Sequence, residues 1–379
     1  MLQRLRRLRG EETKMSRIGL YSPFAADTLG GGERYLLTIA ECLLPKHEVD
    51  LIIPQNKINL IPGLKQKLAD NFHLKLDGLK TIPGPFGSGG SAWQRWRFTG
   101  RYDVFYYMTD GSFFVPGASR NIAHFMIPFN RPPNFIQRLK LNTWQIKTTH
   151  SLFCKQALER IWKIKINFVH WGAVDTKMFS PQPKQNLILS VGRWFSPSGN
   201  KHCKRQDFLV KTFKKMCDRG LKGWRLALIG PVDQGQDNLD YYSRVKHLSR
   251  GYPIDLLPKT SFSSLLKAYG RAKIYWHATG YGTDAATNPQ SVEHFGISTI
   301  EAMAAGAVPV VIKKGGQPEI VNHAVDGRLW QTQAQLIRQT QELISDDNLR
   351  QKFASRALKR AKDFSLNQFC QTAKKIFNL

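Results

Sequence analysis

The sequence predicts an α/β protein of two domains, each a parallel sheet with helices on both faces. Short apolar runs alternate with helix-patterned stretches along the chain, the order that parallel strand–helix–strand units produce. The alternation reaches a last strand at Ile166 to His170 and restarts at Leu187. A length of 379 residues, 42% hydrophobic and 11% aromatic, suits two packed cores rather than disorder.

Arg17 to Ser22 reads as the first strand. Gly30, Gly31 and Gly32 follow, then a helix in which Tyr35, Leu36, Ile39, Ala40 and Leu43 recur at helical spacing. Strand, glycine loop and helix let backbone approach a phosphate, and the same pattern also serves as a plain tight turn. Val49 to Pro54 is a second strand, and 81–91 (TIPGPFGSGGS) reads as a loop or hinge. Trp93, Trp96 and Phe98 are interleaved with Arg95 and Arg97. A half-buried amphipathic helix is the simpler reading; a face for an acceptor or lipid head groups is the other. Tyr102 to Met108 and Asn121 to Met126 are further strands, the second carrying His124. Such a histidine is usually a hydrogen-bonded core residue. Thr148 to Trp162 reads as strand end then helix, and Ile166 to His170 as the last strand of this half.

In the second half, Leu187 to Val191, Trp224 to Ile229, Ile254 to Leu257 and Ile274 to His277 read as strands. Gly192 and Arg193 follow the first of them, and a helix beginning near Lys204 comes next. The polar loop Thr279 to Ser291, with Gly280 and Gly282, has the composition of an adaptable lid.

The densest stretch is Glu293 to Val321. Ser298 and Glu301 fit a Ser-x-x-Glu capping box, which predicts a helix from Ser298 to a stop at Gly306. Val308 to Ile312 has the apolar run of a buried parallel strand, and Gly315 with Gly316 turns the chain after it. A helix start offers unpaired N–H groups and partial positive charge to an anion, and Gly296 allows close approach. Glu293 and Glu301, facing one crevice, are suitable acceptors for sugar hydroxyls. The local pattern equally allows Glu301 only to cap the helix and Glu293 to be a solvated charge.

Lys plus Arg number 56 against 28 for Asp plus Glu, a formal net charge of +28 that favours polyanionic partners. The basic residues are spread along the chain and match no nucleic-acid-reading motif, which favours an anionic membrane surface over nucleic acid. At the N-terminus, Leu2, Leu5 and Leu8 alternate with Arg4, Arg6, Arg7 and Arg9. This leader (1–16) is either a membrane-surface helix or a disordered segment before Met15. Five scattered cysteines without a CxxC pair argue against a disulfide framework and for a reducing compartment. No run reaches the length of a membrane-spanning helix.

The Glu-x7-Glu segment, with Phe295-Gly296-Ile297, Ala302-Met303-Ala304-Ala305-Gly306 and Gly315-Gly316, resembles the nucleotide-binding signature of family-4 retaining glycosyltransferases. The resemblance implies the GT-B arrangement of two facing Rossmann-like domains, 17–179 on the acceptor side and 180–360 on the nucleotide-sugar side. It also implies a C-terminal helix (361–379) crossing back to the first domain. Gly172, Val174, Asp175 and Phe179 keep the family's crossover pattern, while Trp171 and Ala173 depart from it. By the same resemblance Glu293 and His124 lie beside the transferred sugar, and Arg193 and Lys204 grip the diphosphate. Gly31, Gly32, Phe295, Gly296, Ile297, Ser298 and Glu301 hold the donor, with Glu301 on the ribose. Arg205 replaces the usual glycine after a longer gap, which makes Lys201 a rival for the lysine role.

The activity implied is a retaining, metal-independent transfer of a sugar from a nucleotide-sugar to an acceptor hydroxyl. Neither a cofactor nor a metal is expected, there being no Asp-x-Asp motif. The expected setting is cytoplasmic, peripheral on a membrane, with a glycan or lipid-linked acceptor. A nucleotide-sugar epimerase of the same architecture and a non-catalytic polyanion binder are the rival readings.

Overall fold

The computed structural model describes residues 15–25, 30–87, 89–198 and 202–379; the arginine-rich leader through residue 14 and Lys201 lie outside them. The first domain runs β1 (Arg17–Tyr21), α1 (Gly31–Leu43), β2 (Glu48–Pro54), α2 (Leu64–Phe72), β3 (Lys80–Gly84), α3 (Ala92–Thr99), β4 (Val104–Thr109), β5 (Arg120–Phe125), α4 (Phe135–Asn142), β6 (Ile146–Thr149), α5 (Leu152–Trp162) and β7 (Phe168–Val169). Its sheet has the order β3-β2-β1-β4-β5-β6-β7, every pair parallel.

The second domain runs β8 (Gln185–Val191), α6 (Gln206–Asp218), β9 (Arg225–Ile229), α7 (Gln236–Leu248), β10 (Ile254–Leu257), α8 (Phe262–Arg271), β11 (Ala272–His277), α9 (Ile297–Ala304), β12 (Val308–Ile312), α10 (Gln317–Ile320), β13 (Arg328–Trp330), α11 (Gln333–Ser345) and α12 (Asp347–Ala361). Its parallel sheet is ordered β10-β9-β8-β11-β12-β13. The chain then returns to the first domain as α13 (Leu366–Phe377). These are two Rossmann-like domains, the arrangement that the resemblance implies.

Each sheet is filled from both faces. In the first, Ile18, Leu20 and Leu51 pack under α1, and Tyr21, Phe105 and Trp144 form the opposite layer. In each sheet the strand that begins the domain sits where the order reverses: β1 between β2 and β4, β8 between β9 and β11. Open parallel sheets bind ligands outside the carboxyl ends of such switch-point strands.

Several expectations need correction. Residues 81–91 are not all loop, because Lys80–Gly84 is the edge strand β3, where Pro83 is tolerated with a neighbour on one side only. The Trp93 helix forms, but Trp93 and Trp96 point outward, 60% and 51% exposed, rather than half-buried. Cys42 and Cys370 are joined in a disulfide, contrary to the expectation of free thiols. They stand 328 residues apart in sequence, and α13 packing against α1 brings them together. Cys154, Cys203 and Cys217 are free. Among the described residues no helix is long and apolar enough to cross a membrane.

Candidate active site

At the carboxyl end of β8, Gly192-Arg193 turns the chain away from the sheet, and Lys204 returns just before α6. Lys204 lies against this turn: a Cβ on Gly192 would come 2.7 Å from Lys204 Cγ. The ammonium then reaches Glu293, with Nζ 2.6 Å from Oε2. The same Oε2 is 3.0 Å from His277 Nε2 at the end of β11, and Thr279 Oγ1 lies 3.0 Å from that nitrogen. Burial alone would raise the Glu293 carboxyl, but Lys204 and the His277 contact hold it well below the ordinary range. Glu293 is therefore a half-buried anion paired with a cation at the switch-point edge. Arg193 lines the neighbouring crevice of about 680 Å³, between the ends of β8, β9 and β10, with Gly230, Lys259 and Thr260.

The loop carrying Glu293 is clamped by the glycines after β12. Gly315 has φ +60, and a Cβ on it would sit 2.0 Å from the Glu293 carbonyl. Gly316 N donates to that carbonyl at 2.9 Å. Gly296 caps α9 at φ +118, and a side chain there would strike Gln317. Glycine alone meets both demands. The helix begins at Ile297, and the expected Ser298–Glu301 capping box does not form. Ser298 Oγ instead accepts from Tyr275 Oη at 2.8 Å.

Glu301 is turned inward, with 8% of its surface exposed. It accepts from Tyr269 Oη at 2.8 Å and, across the domain boundary, pairs with Arg34 Nη1 at 3.1 Å. Arg34 stands in the first turn of α1, beyond Gly31 and Gly32, which are part of that turn rather than a loop before it. The glycine-opened helix of one domain and the acid of the other thus meet in one cleft. Nearby, Glu319 accepts from the backbone N–H groups of Leu152 and Phe153 and from Trp171 Nε1, so a carboxylate of the second domain caps α5 of the first. Arg205 and Lys314 donate to backbone carbonyls of the 279–291 loop, at Tyr281 and at Gly280 and Thr283, which ties it down on both sides.

Two expected contacts fail on geometry. His124 is fully buried, its ring stacked 4.7 Å from Tyr35 and 5.6 Å from Tyr106, with Nδ1 on Thr148 Oγ1 at 2.8 Å. It is a core histidine because β5 is an interior strand and this position faces α1. Phe295 is 3% exposed and packs with Val174 and Phe364 beneath the site rather than toward a ligand. Ile297 packs partly into the same cluster. Arg205 occupies the left-handed conformation, φ +53, that a glycine would take without cost; its guanidinium is held by Asp207.

Histidines from both domains meet at the domain boundary. His150, following β6, lies 6.3 Å ring to ring from His294, and His294 lies 5.4 Å from His202. Burial drives His150 and His202 down to about 3, with His294 adding to the first and Lys204 to the second, so both are neutral. Burial also lowers His277, against the pull of Glu293. Arg34, Tyr269 and His277 complete the site and were not signalled by the motif. Arg34's position just after the glycines was the available clue. Among the described residues no three His, Cys, Asp or Glu gather as a metal-binding group.

Residues 175–360 match the family Glycosyl transferases group 1. An uncharacterized glycosyltransferase of Methanocaldococcus jannaschii is 26% identical over 204 residues, 53% of this chain and 42% of that protein. The chain therefore aligns with less than half of that relative's length. A glycosyltransferase from Rickettsia africae superposes with a TM-score of 0.73 at 17% identity, over 97% of this chain and 98% of that one. HepE of Anabaena, solved with UDP-glucose, superposes with a TM-score of 0.69 at 16% identity, over 96% and 99% of the two chains. Residues 175–360, essentially the second domain, are thus similar to glycosyl transferases group 1 domains.

Proposed function

We propose that the chain is a retaining, metal-independent glycosyltransferase, using a nucleotide-sugar donor and an acceptor hydroxyl of a lipid-linked or cell-envelope glycan at a membrane surface. The observation that carries the reading is the Lys204–Glu293–His277 cluster beside the α9 start, opposed across the cleft by Arg34 on Glu301. The nucleotide would enter the crevice lined by Arg193, its ribose hydroxyls replacing or sharing Arg34 on Glu301. The diphosphate would lie between Arg193, Lys204 and the N-terminal end of α9, where cations and a helix dipole stabilise departing negative charge. As the bond between the anomeric carbon and the phosphate oxygen breaks, its electron pair leaves with the diphosphate. The acceptor hydroxyl attacks from the same face, and its proton passes to the departing phosphate oxygen. Glu293 would fix sugar hydroxyls. The closed cleft, with Glu319 bridging the domains, would exclude competing water.

The test is a thermal-shift screen with UDP-, GDP- and ADP-sugars, with UDP-glucose in the first arm. A ligand at about a hundred times its Kd stabilises the folded state by about 2.7 kcal/mol. A raised melting temperature with one class, followed by transfer with retained anomeric configuration by NMR, supports the reading. No shift with any donor refutes it.

A further inference from the structure

We propose that the outer face formed by α3, the 113–117 turn and α4 is the surface by which this protein docks on an anionic lipid bilayer. The three pieces are physically continuous. Gly117 N donates to Thr99 Oγ1 at 2.7 Å and lies against the Trp96 carbonyl, while Phe113 N donates to Gln137 Oε1 of α4 at 2.6 Å. Phe86, Phe105, Phe114, Leu141 and Trp144, with the partly buried Phe98, form one core layer beneath them, so both helices cover the same side of the sheet.

What they turn outward is unusual for this chain. Trp93, Trp96, Val115, Phe135, Ile136 and Leu139 are all exposed, Phe135 by 74%. By contrast Trp144, Trp162, Trp194, Trp276 and Trp330 are fully buried. A large exposed apolar patch marks an interaction surface, and tryptophan prefers the membrane–water boundary. The charge of the patch selects the partner. Arg95, Arg97, Arg101, Arg131, Arg138 and Lys140 stand on the same segments, and neither 92–101 nor 111–158 contains an Asp or Glu. Apolar side chains among these cations, with Asp103 and Asp110 the adjoining carboxylates, match the head-group layer of an anionic bilayer, where each Lys or Arg adds attraction.

A crevice of about 670 Å³ opens at one end of the face, lined by Gln55, Gln94, Trp93, Arg97, Phe98 and Arg101. Arg97 stacks 5.2 Å from the Trp93 ring and Arg101 5.5 Å from Phe98, the arrangement for a phosphate above an apolar wall. Because α3 and α4 follow the carboxyl ends of β3 and β5, their first turns lie on the cleft side of the domain. A membrane bound here would present its head groups beside the acceptor half of the cleft. That last link rests on the function proposed above; the surface itself does not.

The test is co-sedimentation of the full chain with vesicles of phosphatidylcholine alone and of phosphatidylcholine with phosphatidylglycerol. Wild type, Trp93→Ser/Trp96→Ser, Arg97→Ala/Arg101→Ala and a control, Leu239→Ser on the other domain, are compared. Binding should need phosphatidylglycerol and weaken with salt. The arginine pair should weaken it about 25-fold, at about fivefold per lost cation. The tryptophan pair should weaken it at least tenfold, because two large apolar side chains no longer leave water on binding. The control should match wild type, and all four should keep the same melting temperature. Face variants that bind as well as wild type, equal binding to neutral vesicles, or a patch that binds soluble glycans but no vesicles each overturn the proposal. Donor-induced thermal shifts, measured in parallel without vesicles, report on the glycosyltransferase reading alone.

Discussion

Replacing Glu293 with glutamine asks whether the half-buried acid exists to hold Lys204 or merely fills space. The pair is 2.6 Å apart, and the two side chains are only 16% and 14% exposed. At an effective dielectric of about 20 their attraction is about 6 kcal/mol before the cost of desolvation. A glutamine side chain is nearly isosteric with glutamate but uncharged, so the ammonium loses its counter-charge inside the protein. Breaking one side of a buried pair costs about 3–5 kcal/mol. Lys204 keeps a path to the cleft, so Glu293→Gln should lose about 3 kcal/mol, read as a lower urea midpoint at unchanged slope.

Two controls isolate the charge. Glu293→Gln/Lys204→Met should recover most of the loss, because neither charge is then stranded. UDP should stabilise Glu293→Gln more than wild type, because the diphosphate supplies the anion that Lys204 lacks. A single variant within about 0.5 kcal/mol of wild type, the range of ordinary surface changes, would refute the argument, as would a double variant no better than the single.

Three further outcomes follow from the same structure. Glu301→Ala should leave the fold intact and weaken UDP binding by tenfold or more in calorimetry, whereas Arg34→Ala, which frees the carboxylate, should lose less; unchanged affinity in Glu301→Ala removes the ribose role. His150 and His170 are buried, and burial lowers them to about 3 and about 4. With folded values below the unfolded value of about 6.5, the unfolded chain takes up protons first, so their stabilising effect is complete above pH 6.5 and declines as pH falls toward those values, by about 1.4 kcal/mol per pH unit per histidine. Urea midpoints between pH 7 and 5 should show this, and His150→Gln should flatten the slope by about one proton. Denatured but unreduced protein should titrate three thiols rather than five, and reduction of Cys42–Cys370 should cost about 2–4 kcal/mol, seen as a lower melting temperature.

Much of the fold is written locally. Parallel strands buried on both faces must be apolar runs, and helices covering them must carry one apolar stripe, so β1, β8, β12 and α1 are readable from their own residues. Gly296, Gly315 and Gly316 announce the tight turn because no other residue fits there. The two acids of the Glu-x7-Glu pattern are legible for the same reason: the loop and helix between them fix their spacing.

What each acid touches is not local. Glu293 meets Lys204 and His277 only because β8 and β11 are neighbours in the sheet, and Glu301 meets Arg34 only because two domains close on one cleft. His124 shows the converse. Its position matched a motif, but an interior strand under α1 put the ring among Tyr35, Tyr106 and Thr148 instead of on the cleft wall. The Cys42–Cys370 bond and the outward tryptophans of α3 belong to the same class. The elements, their alternation and the backbone turns at the site are legible in local sequence. Which charges pair and which aromatics remain in water follows only from how the domains pack, because such contacts join residues far apart in the chain that leave no periodic or spacing signal.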